Sequence, residues 1–245
     1  MALNRVGIVC ALQAEARALR PVSPRHAQLA SLADGTLLAV TGMGAVAAAE
    51  GARALVRAGV IALASWGLAG GLDPRLAPGA ILLPYEVFSC DGLTVATSAP
   101  WRSRLSDAVQ ANHPLATGRL LSSPNAIGSP REKARLFEQT GAAAVDMESV
   151  AVGQVASTCA VALIAVRVIV DGARDALPRA VTAAADQAGH LRLGLLIGSL
   201  ARAPADLPPL LRLAWRYRTA SRSLARVART GSLAHCAFAA DNHAS

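Results

Sequence analysis

The chain is 245 residues long, 53% hydrophobic, with a formal net charge of +8. That length suits one large α/β domain with a full core. The uncharged run over residues 58–72 is interrupted by glycines and falls short of the ~20 apolar residues a membrane span needs, which excludes a transmembrane segment there. The positive excess is concentrated in one stretch, Arg212, Arg216, Arg218, Arg222, Arg226 and Arg229, so the rest of the chain is close to neutral.

Residues 6–10 form a short β-rich run, and 11–19 then turn helical, with Glu15 in the first turns near the strand's C-terminal end. The N-terminus lacks the basic-then-apolar order of a signal peptide. Residues 37–41 predict the next strand, followed by Gly42-Met43-Gly44 and an Ala-rich helix over 45–58. Gly42 to Ala47 fit the G-x-G-x-x-G/A dinucleotide pattern, but the acid expected about 20 residues on is missing, because that region reads Ala64-Ser65-Trp66-Gly67. Gly42 and Gly44 are therefore expected to border an anion or water pocket, and no nicotinamide or flavin cofactor is expected.

Residues 60–65 read as a buried strand. The small residues that follow, 66–72, would let the backbone approach a neighbour or a ligand closely. Residues 80–87 and 93–97 can form a β-ribbon, 101–112 a helix, 118–122 a strand and 123–125 a loop. Ser129 and Pro130 open another helix, with Ser129 as its N-cap. An apolar run over 142–145 leads into Asp146-Met147-Glu148 and a helix over 149–159. A second apolar strand, 161–170, ends at Asp171; a loop and a long helix over 179–202 follow. Strands alternating with helices indicate a single three-layer α/β domain over residues 1–202.

Glu148 at a helix N-terminus and Asp171 just past a strand are placed for a site in the crevice outside the strand ends. Taken singly, an Asp after a strand is also an ordinary cap or turn former, and Glu15 an ordinary solvated helix residue. Cys10, Cys90, Cys159 and Cys236 form no CxxC pair and have no histidine at ligand spacing, so no metal is expected. Cys10 and Cys159 lie in apolar runs and read as small buried hydrophobes in a reducing, cytoplasmic setting.

Five motifs then occur in order: Gly7-Ile8-Val9-Cys10-Ala11-Leu12-Gln13-Ala14-Glu15, Thr41-Gly42-Met43-Gly44, Gly67-Leu68-Ala69-Gly70-Gly71-Leu72, Val145-Asp146-Met147-Glu148 and Arg167-Val168-Ile169-Val170-Asp171. Over residues 5–200 they resemble the purine nucleoside phosphorylase/uridine phosphorylase family, most closely its methylthioadenosine/S-adenosylhomocysteine nucleosidase branch. The resemblance implies a central mixed sheet, cleavage of a nucleoside's N-glycosidic bond by water or phosphate, no resident cofactor, and a homodimer. It implies that Met147 packs on the ribose and that Glu148 accepts from its 2′- and 3′-hydroxyls. Asp171 would protonate the purine N7, Glu15 would orient or deprotonate the attacking water, and Arg167 would tune these acids. Gly67, Leu68, Ala69 and Ile127 would line the substrate. By itself, Arg167 could equally be a buried ion-pair partner of Asp146.

Three departures stand out. Leu68 replaces the family's hydroxyl in the glycine-rich loop, which favours water over phosphate, although phosphate remains open as a co-substrate. Val170 replaces a serine before the acid. Asn125-Ala126-Ile127 occupy the place of an adenine-stacking aromatic.

Leu207, Leu210, Leu211, Ala214, Tyr217, Leu224 and Val227 recur at near-helical spacing within 203–230, with the arginines mostly on the other side. Such a basic amphipathic helix can dock on its own domain or lie on the inner face of an anionic membrane. No nucleic-acid motif accompanies it, so nucleic acid is not an expected partner. Together with the apolar site this resembles the hopanoid-associated phosphorylase subgroup, which implies a lipid-linked nucleoside, adenosylhopane, as substrate. Residues 231–245 are polar and rich in small residues, and disorder is expected there.

Overall fold

The computed structural model describes residues 5–19, 29–110, 115–177, 207–230 and 233–238. The helix expected over 179–202 lies outside these residues. A single mixed sheet is built outward from β4 (Ala62–Gly71), a ten-residue strand. One edge of β4 pairs in parallel along its length with β11 (Ala162–Asp171). The other edge is shared. Its first half pairs in parallel with β1 (Val6–Cys10), and Gly70 and Gly71 pair antiparallel with β10 (Ala144–Asp146). Beyond β1 lie β3 (Leu37–Val40) and β2 (Ala30–Ser31). Beyond β10 lie β9 (Arg119–Ser122), β6 (Glu86–Ser89) and β7 (Thr94–Ala96). β5 (Ile81–Leu82) and β8 (Leu115–Ala116) extend the sheet past β11.

The strands are buried on both faces, as parallel strands under two helical layers must be. Alternation assigns each side chain to a face. Val6, Ile8, Ala64, Trp66, Val166 and Val168 point to one core, and Val9, Leu63, Ala165 and Ile169 to the other. The first core is closed by α1 (Gln13–Leu19), α3 (Ala99–Gln110), α6 (Leu207–Thr230) and α7 (Leu233–Phe238). The second is closed by α2 (Ala45–Arg57) and α5 (Ser149–Thr158). A smaller apolar cluster sits under α4 (Pro130–Thr140), where Leu136 meets Leu72, Ile127 and Val145. The three-layer α/β arrangement with a mixed sheet is the expected one.

Three local expectations are corrected. Residues 66–71 continue the strand instead of leaving it as a loop, because β11 supplies hydrogen-bond partners along one edge and β10 caps the other. Cys159 is exposed, since α5 ends at Thr158 and the chain turns outward before β11. Part of the segment expected to be disordered is helical, with Leu233 and Cys236 buried against the first core. Arg104 of α3 fastens that helix, donating to the carbonyls of Cys236 (2.7 Å) and Ala237 (3.2 Å). The expected amphipathic helix is α6. Ala220, Leu224 and Val227 are buried in the first core, so it docks on its own domain.

Candidate active site

β1 and β10 share one edge of β4 but do not meet. Residues 66–69 between them have no strand partner on that side, and the crevice this leaves is where the acids gather. A backbone N–H freed from a ladder needs another acceptor. The N–H of Leu68 finds Glu15, donating to Oε1 at 2.9 Å. The Glu15 Oε2 accepts from the N–H groups of Ala11 (3.1 Å) and Leu12 (2.9 Å) at the start of α1. Glu15 is thus a buried carboxylate, not a solvated helix residue. Burial raises its pKa, opposed by the Arg167 charge and these three N–H groups. Gly67 makes room for it: a Cβ there would come within 2.6 Å of Glu15 Oε1.

Met147 and Glu148 bridge the end of β10 and the start of α5. Glu148 reaches across to the turn before α2, where Gly44 donates its N–H to Oε1 at 2.8 Å. That turn requires glycine: φ is +87° at Gly42 and +99° at Gly44. Gly42 and Gly44 therefore act through the backbone, while Met43 between them reaches the cavity wall. Enclosure raises the Glu148 pKa to about 7, helped by the negative charge of Asp146 and opposed by Arg167 and the Gly44 N–H.

Asp146 and Arg167 form a buried pair beneath these groups. Arg167 donates to Asp146 Oδ2 from Nε (2.9 Å) and Nη2 (2.7 Å), and to the hydroxyls of Ser65 (2.8 Å) and Ser149 (3.0 Å). Asp146 also accepts from Ser122 Oγ (2.6 Å) and from the Ser149 N–H (3.1 Å), which caps α5. Arg167 does not line the cavity; it is the ion-pair partner of Asp146, and from that position its charge opposes the rise in the Glu15 and Glu148 pKa values, so its two sequence readings are compatible.

Asp171 ends β11 behind a β-bulge: Ile169 pairs with Ala69, but Asp171 pairs with Gly70, leaving Val170 unmatched. A bulge re-aims the side chains after it. Asp171 is buried, which raises its pKa, and the Lys133 ammonium opposes that rise.

The four carboxylates border one cavity of about 310 Å³, whose wall also includes Leu12, Met43, Leu68, Ala69, Ala126, Ile127, Met147, Val170, Leu177, Leu213 and Tyr217. Of the residues expected at the substrate, Met147, Glu148, Asp171, Glu15, Leu68, Ala69 and Ile127 line it, and Gly67 lies under Glu15. Sequence reasoning missed Lys133, Leu213 and Tyr217. Lys133 sits one helical turn before Leu136 and Phe137, so it falls on the face of α4 turned to the interior, and that spacing was the available signal. Tyr217 brings an aromatic into a cavity where none was expected. Burial, together with the negative charge of Glu15, raises its pKa.

The phosphorylase superfamily model matches residues 5–200. The chain belongs to the phosphorylase superfamily. No curated protein sequence matches it. Solved structures share the superfamily's fold with this chain. The Helicobacter pylori 5′-methylthioadenosine/S-adenosylhomocysteine nucleosidase is 20% identical, with a TM-score of 0.63 over 71% of this chain and 88% of that one. The Helicobacter pylori futalosine hydrolase is 16% identical, with a TM-score of 0.65 over 92% and 97%. The Neisseria meningitidis 5′-methylthioadenosine/S-adenosylhomocysteine nucleosidase, in complex with methylthio-immucillin-A, is 17% identical, with a TM-score of 0.65 over 92% and 98%.

Proposed function

We propose that this superfamily member hydrolyses the N-glycosidic bond of an adenosine derivative. The observation that carries the reading is that Glu15, Glu148 and Asp171 come from three separate elements to one apolar cavity. Each has a distinct environment, and each environment suits a different step. Glu148, ionised, accepts from two vicinal ribose hydroxyls and favours the cation that develops at the anomeric carbon. Asp171, raised by burial, gives a proton to N7 as the C1′–N9 bond breaks, so the electron pair stays on N9 and adenine leaves neutral. Glu15 has three of its roughly four acceptor positions filled by N–H groups, which leaves one for the water that adds to C1′ and gives up a proton.

Water is favoured over phosphate by charge. The described lining presents four carboxylates, Arg167 is committed to Asp146 and Lys133 to Asp171. A phosphate dianion entering there would meet the charge of Glu148, and among the described lining residues no cation stands free to offset it.

The 5′ substituent is the finer part of the reading. Leu12, Leu68, Ile127, Leu177 and Leu213 give the cavity an apolar wall, which supports a hydrophobic group there. A volume of about 310 Å³ suits a nucleoside, so a long hydrocarbon such as that of adenosylhopane would run outward past Leu213 and Tyr217. Support for contact with an anionic membrane comes from the outer side of α6. There Leu211 (62% exposed) and Trp215 (67% exposed) lead into the exposed Arg218 and Arg222. No helix among the described residues is long and apolar enough to cross a membrane. The exposed Val46 beside the cavity-lining Met43 is a surface on which a homodimer could complete the site.

The test is incubation with adenosylhopane, and separately with methylthioadenosine and S-adenosylhomocysteine, with and without phosphate, following adenine by chromatography. Preferred release from adenosylhopane is the expected result. Fast turnover of the small thioethers alone would replace it with an ordinary methylthioadenosine/S-adenosylhomocysteine nucleosidase.

A further inference from the structure

Lys133 is fully buried, and its three ammonium protons are all taken. Nζ donates to Asp171 Oδ2, to the carbonyl of Gly172 (2.9 Å) and to the carbonyl of Asp175 (3.1 Å). A lysine has three donors, so this geometry fixes the ammonium completely. It also fixes its partner, because with Oδ2 held, Oδ1 is the oxygen of Asp171 free to meet a ligand. The same contacts shape the loop after β11. Asp175 accepts from the Gly172 N–H (2.9 Å) and from Arg216 of α6 (2.7 Å), and Leu177 donates to the Gly128 carbonyl (3.0 Å) just before α4.

We propose that Lys133 is the positioning residue of the proton donor: it selects the working oxygen of Asp171 and sets the pH range over which that acid can give up its proton. The proposal rests on Asp171 being the donor to the departing base. Among the described residues, the groups that face Asp171 are Lys133 from α4, Asp175 from its own loop, Arg216 from α6, and Glu15, Asp146, Glu148 and Tyr217 around the cavity. Among the described residues, only Lys133 both touches the carboxylate and is sealed from solvent, so its charge is screened least. Burial favours the protonated acid, and the ammonium favours the carboxylate left after transfer. A donor balanced between the two can release its proton and be recharged within one cycle.

Two variants separate charge from position. Lys133→Met removes the cation, and loss of an opposite charge at this range moves a carboxyl upward by about 1–3 pH units. The Asp171 side-chain carbon is followed by 13C NMR in aspartate-labelled protein, with assignment by its loss in Asp171→Asn. Its titration should rise by that amount, and the alkaline limb of kcat/KM for adenine release from methylthioadenosine should move up with it. Lys133→Arg keeps the charge but cannot match three acceptors gathered around one nitrogen. Its pH profile should stay in place while kcat falls about 10–100-fold, the typical cost of small misplacement. An unmoved Asp171 titration in Lys133→Met overturns the charge role, and full kcat in Lys133→Arg overturns the positioning role. Should Lys133→Met not fold, Lys133→Gln is read in the same way. If the wild-type chain releases no adenine, the reading of function fails, and the NMR titration still decides whether Lys133 governs Asp171.

Discussion

Glu148→Gln should make the protein more stable at alkaline pH while disabling it. The carboxyl titrates at about 7 in the folded chain against an ordinary 4.5. Between those values the folded protein holds a proton that the unfolded chain has lost, so stability falls as pH rises through that window. At about 1.4 kcal/mol per unit, the ionised side chain costs the fold about 3 kcal/mol above pH 7. Glutamine removes that cost. Its amide oxygen can still accept the Gly44 N–H, but its NH2 cannot accept the Met147 N–H that now reaches Oε2 at 3.3 Å. Losing that bond gives back about 1 kcal/mol, so the net gain at pH 8 is about 2 kcal/mol. Urea unfolding at pH 8 and pH 5 should show the gain at pH 8 and none at pH 5. On the proposed reading Glu148 works as a carboxylate, so wild-type kcat/KM should fall as pH drops below about 7, and the variant should lose about 10²–10³-fold at its optimum. An equal stability change at both pH values would refute the assignment of strain to the Glu148 charge.

Other expectations follow from single contacts. Arg167→Met strands Asp146 in the interior and should cost about 3–5 kcal/mol in urea unfolding; a loss below about 1 kcal/mol would mean the pair is not closed in solution. Gly67→Ala drives a methyl within 2.6 Å of Glu15 Oε1, so kcat should fall about 100-fold with the fold retained by circular dichroism, and near-native turnover would remove Glu15 from the reaction. Leu213→Ala strips apolar wall and should raise KM for a hydrophobic adenosine derivative about 10-fold, in line with a buried aliphatic side chain, while an unchanged KM would place the substituent elsewhere.

The order of strands and helices was legible because burial on both faces leaves long apolar runs, as in β1 and β11. The edges were less so. β2 and β8 are two residues each and carry no periodicity, and 66–71 read as loop because glycines weaken a strand signal whose real support is β11 on one side. Glu15, Glu148 and Asp171 were legible as motif members at strand ends. Their partners were not. Lys133 lies in Pro130-Arg131-Glu132-Lys133-Ala134-Arg135, which looks like a solvated helix surface until α4 is rotated onto the sheet. Tyr217 looked like one apolar position on a docking stripe, and only the placement of α6 over the crevice turns it toward the cavity. The Arg167 ion pair needed coordinates, since Asp146 lies 21 positions away in sequence yet accepts from two of its three nitrogens.

The central claim is that water, helped by a proton from Asp171, parts adenine from its ribose. Adenine release should be measured in phosphate-free buffer from adenosylhopane and from methylthioadenosine, with wild-type protein and Asp171→Asn side by side. The predicted result is release by the wild type without phosphate, slowed about 10²–10⁴-fold in the variant. Release that strictly requires phosphate, or a variant as fast as wild type, would contradict it.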